Sequence, residues 1–93
     1  MARFFVRVEL PDRPPADYED LHERMEAAKY FRFIESDHGR RQLPHATYTC
    51  TADEWTKEQI LNEAYGIASK VHADARVLAI ESSGWTSKGL LRP

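Results

Sequence analysis

An α+β fold, a four-stranded antiparallel sheet with two helices on one face, is predicted by three observations. Residues 3–10 alternate Phe4, Val6, Val8 and Leu10 with Arg3, Phe5, Arg7 and Glu9, the period of two that a strand with one buried face requires. Two later segments, near 16–30 and 56–74, instead repeat apolar residues at helical spacing. The remaining segments are short and rich in β-branched and aromatic residues, which favour strands.

Each element has its own signals. Pro11, Pro14 and Pro15 end the first strand, because proline cannot donate to a ladder and restrains the residue before it. Tyr18, Leu21, Met25 and Ala28 then share one helical face. Asp17 suits the cap, and Glu19 and Asp20 suit the positive end of the dipole. Residues 31–51 read as a hairpin: Phe31, Phe33 and Glu35 alternate on the first arm, and Thr47, Thr49 and Thr51 alternate with Tyr48 and Cys50 on the second. Gly39 serves the turn between them, and a second arm starting at Gln42 would place Pro44 at an edge or bulge. The second helix opens on Thr56 and Gln59, the pair of a capping box, with Trp55 and Ile60 placed as a staple. Ile60, Ala64, Ile67 and Val71 form its stripe, and Gly66 weakens it unless close packing needs the space. Residues 76–81 make a last apolar strand. The order strand, helix, strand, strand, helix, strand, joined by right-handed crossovers, is the ferredoxin-like βαββαβ plan. It occupies residues 1–83 as one domain, and 84–93 form a tail in which Trp85, Leu90 and Leu91 look for something to pack on.

The composition bounds the function. Ninety-three residues, 42% hydrophobic and 30% charged, suit a single thin-cored globular domain. Thirteen Lys and Arg against fifteen Asp and Glu leave a net charge of −2, which excludes a strongly basic nucleic-acid binder but leaves room for a local basic patch. The lone Cys50 forms no internal disulfide and no thiolate zinc site. Arg7 and Glu9 interrupt any signal-peptide core, and no apolar run of about twenty residues exists. The chain therefore reads as a cytoplasmic protein without membrane attachment.

Four groups of residues bear on chemistry. If Phe4, Val6 and Val8 face the helices, Phe5 faces away between Arg3 and Arg7. An aromatic ring flanked by guanidiniums can stack a base and take phosphates, or the same face is covered by a second subunit or by the tail. Arg40 and Arg41 lie beside His38 and His45 in the hairpin, where they hold a phosphate or form a solvated turn. Glu9 and Asp12 stand where a metal-dependent nuclease of this fold needs an acidic ligand for magnesium; otherwise they are a strand-end charge and a loop aspartate. His22, His38, His45 and His72 have no metal-ligand spacing, although His38 or His45 suits acid–base work near neutral pH. Cys50 reads as a small buried hydrophobe.

Residues 39–44, Gly-Arg-Arg-Gln-Leu-Pro, followed by Tyr48-Thr49-Cys50-Thr51 and the helix at 56–68, resemble the GhoS-like antitoxins of type V toxin–antitoxin systems. The resemblance runs over residues 3–70 and centres on Arg41-Gln42-Leu43. It implies a fold similar to the Cas2 nucleases and endoribonuclease action on the toxin's messenger RNA; no cofactor is expected, unless cleavage uses magnesium. In that reading Arg41 is catalytic, and either His38 moves the proton or Glu9 or Asp12 holds a metal. Arg40, Arg41 and Arg7 bind the phosphates of single-stranded RNA, and Phe5 or Tyr48 stacks a base. The alternative is a non-enzymatic homodimer that pairs its sheets face to face, with the tail lying across the partner.

Overall fold

The computed structural model describes residues 2–11, 15–36 and 39–92, with residues 15 and 16 described by their backbone alone. The first strand, β1 (Ala2–Glu9), is followed by α1 (Pro15–Ala27), β2 (Phe33–Ser36), β3 (Gly39–Gln42), β4 (Thr47–Ala52), α2 (Lys57–Val71) and β5 (Arg76–Ser82). β1 is the centre of a three-stranded antiparallel sheet in the order β4-β1-β5. Its alternation does what a period of two dictates. Phe4, Val6, Val8 and Leu10 join Tyr48 and Cys50 of β4, Leu21 and Met25 of α1, and Ile60, Ala64 and Ala68 of α2 in one core.

Both helices end by identifiable means. Thr56 and Gln59 form the capping box, each side chain bonded to the other's backbone. α1 stops three residues before the predicted limit, in a Schellman turn: the Lys29 amide reaches the Glu26 carbonyl and the Tyr30 amide reaches that of Met25, both at 2.9 Å. The turn puts Lys29 at φ 72°, where glycine is usual.

The expected four-stranded sheet is not formed. β2 and β3 pair with each other as a separate two-stranded ribbon, tied to β4 by one bridge between Phe31 and Thr49. The reason lies in residues 43–46. Phe31 faces Thr49, but Phe33, two residues further on, faces Gln42, seven residues further back. Leu43, Pro44, His45 and Ala46 therefore form a corner rather than a continuous strand. Pro44 has no amide for a ladder, and its carbonyl instead accepts from the Thr47 amide at 3.0 Å. Ala46 closes the corner at φ 59°. The tail returns to this end of the molecule, where the Leu91 carbonyl takes the Gln42 amide at 2.7 Å. Among the described residues no helix is long and apolar enough to cross a membrane.

Candidate functional site

Residues directly opposite one another in an antiparallel sheet share a face, so the register defines the side away from the helices. Arg3, Phe5, Arg7 and Glu9 of β1 stand there with Thr47, Thr49 and Thr51 of β4 and with Leu78, Ile80 and Ser82 of β5. Phe31 joins them through its bridge to Thr49. The tail adds Trp85, whose ring meets Phe5 edge-on at 6.4 Å between centroids, a favourable aromatic geometry. Solvent reaches 42% of Phe31, 38% of Trp85, 49% of Ile80 and 58% of Leu78. Arg7 is exposed. Arg3 donates to Thr49 Oγ1 at 2.8 Å, and that hydroxyl donates to the Phe4 carbonyl at 3.0 Å. This pins Arg3 to the sheet while leaving other guanidinium N–H groups for a ligand.

Arg40 of the ribbon lines a cleft at the edge of this face with Arg3, Phe31, Thr49 and Thr51, and Glu26 and Glu35 line the same cleft. Arg40 Nε donates to Glu35 Oε1 at 2.8 Å, and Arg41 Nη1 to the Arg40 carbonyl at 2.9 Å. The Arg40–Glu35 pair is exposed on both sides, a kind worth at most about 1 kcal/mol, so an arriving phosphate competes readily for the arginine. His38 and Asp12 lie outside the described residues. Glu9 is ion-paired with Arg76 across the β1–β5 ladder. Among the described residues no three His, Cys, Asp or Glu side chains are grouped to hold a metal ion.

Tyr48 is not where base stacking would need it. It is fully buried on the helix side, because it opposes Val6 and shares Val6's face. Its hydroxyl lies 2.6 Å from His22 Nδ1. Burial holds the phenol well above its ordinary range, while burial, then Arg32, then His45 push His22 down to about 4. The two side chains share one hydrogen bond, whose donor is set by the tautomer of His22. His45 packs on Tyr18 at 4.6 Å and lies edge-on to His22 at 5.9 Å. This cluster was missed by sequence reasoning, although Tyr18 and His22, four apart, had to share a helical face. Cys50 is buried, and that burial pushes its thiol up to about 11, which makes it inert as a nucleophile.

Two regions are thus distinguished: an aromatic and basic sheet face, and a histidine–tyrosine cluster at the corner. Comparison with models of known protein families, with curated proteins and with solved structures returns no match.

Proposed function

We propose that the protein binds single-stranded RNA on the helix-free face of its sheet. The observation that carries this reading is the gathering of Phe5, Phe31 and Trp85 on one face with Arg3 and Arg7. Unpaired bases stack on aromatic side chains at about 1–3 kcal/mol each, and arginines take the phosphates between them. Glu9 on this face is paired with Arg76, and of the two carboxylates in the cleft beside Arg3 and Phe31, Glu35 is paired with Arg40. Antitoxin-type cleavage is the finer form of this reading and rests on the resemblance around Arg41 together with His38.

The test is fluorescence anisotropy of a labelled, unstructured RNA, with gel analysis of the same samples in magnesium and in EDTA. Phe31→Ala weakens binding about tenfold, and Arg7→Gln lowers the salt slope by about 0.7. Arg41→Ala abolishes any cleavage without moving the thermal midpoint. Binding unchanged in both platform variants would overturn the reading.

Leu78 and Ile80 favour a second reading. Two exposed aliphatic residues on β5 serve a protein partner better than a base, and a second copy paired through this face would bury them. Concentration-dependent dimerisation in sedimentation, lost in Leu78→Ser and accompanied by no RNA binding, would give this reading precedence.

A further inference from the structure

A cleft of about 470 Å³ opens where the 43–46 corner, α1 and the end of the tail meet. Its size lies within the range of small-molecule sites. Its walls divide by chemistry. Arg32, Lys88, His22 and His45 bring polar donors, and Leu43 and Leu90 bring apolar surface. None of its lining residues is Asp or Glu, in a chain where acids outnumber bases fifteen to thirteen. Two permanent cations without a carboxylate between them make an anion site.

The surroundings say which kind of anion. The Tyr48 hydroxyl engages His22 Nδ1, so Nε2 is the ring nitrogen left for a ligand, and Arg32 and Lys88 add full charges. Two positive charges suit the dianionic oxygens of a phosphate monoester, which carries about −1.5 to −2 at neutral pH, better than a single carboxylate. The exposed ring of His45, fixed on one side by Tyr18 at 4.6 Å, and the Leu43 and Leu90 side chains offer a surface for a flat group attached to that phosphate. The tail completes the cleft: the bond from the Gln42 amide to the Leu91 carbonyl holds the segment bearing Lys88 and Leu90 against the corner.

We propose that this cleft binds a phosphate monoester of nucleotide size, with Arg32 and Lys88 on the phosphate and the base against His45, Leu43 and Leu90. The ligand is either a free nucleotide or the phosphorylated end of an RNA strand, which present the same chemistry. The site is separate from the sheet face and stands whether or not RNA binds there.

The test uses the full chain, isotopically labelled, with adenosine 5′-monophosphate and adenosine as paired probes in amide-resolved NMR titrations. The monophosphate shifts amides in residues 42–46 and 88–91 saturably, and adenosine binds at least about tenfold more weakly. Arg32→Gln and Lys88→Gln each cost the monophosphate about tenfold at an unchanged thermal midpoint, while Phe31→Ala on the sheet face leaves its affinity alone. A short RNA carrying a 5′-phosphate, compared with its 5′-hydroxyl form, assigns the source. A preference for the phosphorylated end, displaced by the monophosphate, identifies an RNA terminus. Response to the monophosphate alone identifies a free nucleotide. Equal affinity for adenosine and its monophosphate, no shifts in those two segments up to about 10 mM, or affinity indifferent to both substitutions would overturn the proposal.

Discussion

On β1, Phe4, Val6 and Val8 have almost no contact with solvent, while Phe5 is half-buried and Arg7 is exposed. On β4, Tyr48 is sealed under α1, while Thr47 and Thr49 stand on the other side of the same strand. One face has two helices to cover it and carries the core. The other meets the tail's Trp85 and, among the described residues, keeps aromatic rings and an arginine in reach of solvent. The difference separates the residues that hold the molecule together from those free to meet a ligand, and it makes that separation measurable.

The largest expected effect comes from the covered face. Phe4→Ala destabilises by about 3–5 kcal/mol, since removal of a fully buried ring loses its transfer energy and leaves a cavity. Ile80→Ala on the open face shifts stability by no more than about 0.5 kcal/mol. Urea denaturation of the two variants side by side checks the contrast, and equal losses would erase it.

A smaller effect belongs to the cluster at the corner. His22 has its folded pKa lowered from 6.5 to about 4 by burial, Arg32 and His45, so between those values the unfolded chain binds more protons than the folded one. Stability therefore falls as pH is lowered from about 6.5 to 4, by on the order of 1–2 kcal/mol after allowance for the water that reaches the ring. His22→Gln keeps an acceptor for Tyr48 but does not titrate, and denaturation midpoints of this variant at pH 7 and pH 4.5 lie closer together than those of the parent.

Small stabilising effects are expected within α2 and in the turn after α1. A Cβ added at Gly66 meets nothing within 4 Å, so packing does not demand the glycine and Gly66→Ala stabilises by up to about 1 kcal/mol. Lys29→Gly relieves the left-handed strain of the Schellman turn by a similar amount. Thermal melts of the two variants measure both.

β1, β2, β4, β5, both helices and the capping box were legible because each rests on local spacing, Phe4, Val6 and Val8 at period two and Thr56 with Gln59 three apart, whereas β3 (Gly39–Gln42) forms where a turn was expected. The parting of the ribbon from the sheet was not legible. Nothing local at Arg32 says that its carbonyl will accept from the Leu43 amide; that is settled by how Pro44 and Ala46 turn the chain. Lys29 carries no sign of its positive φ, because glycine is the residue that usually gives such a turn away. For the sheet face, Phe5, Arg3 and Arg7 were legible from alternation, whereas Phe31 and Trp85 reach it through a single bridge and a returning tail. Tyr48 was assigned to the wrong side because β4 was read without its register against Val6.

The separation of the two faces is tested most directly by the fluorescence of Trp85 in a Trp55→Phe background, where it is the only tryptophan left. Unstructured RNA quenches this emission saturably, and Arg7→Gln raises the midpoint of the quenching curve while the thermal midpoint stays in place. Emission that does not respond to RNA, under conditions where anisotropy shows the RNA to be bound, would place the RNA elsewhere on the molecule and contradict the account.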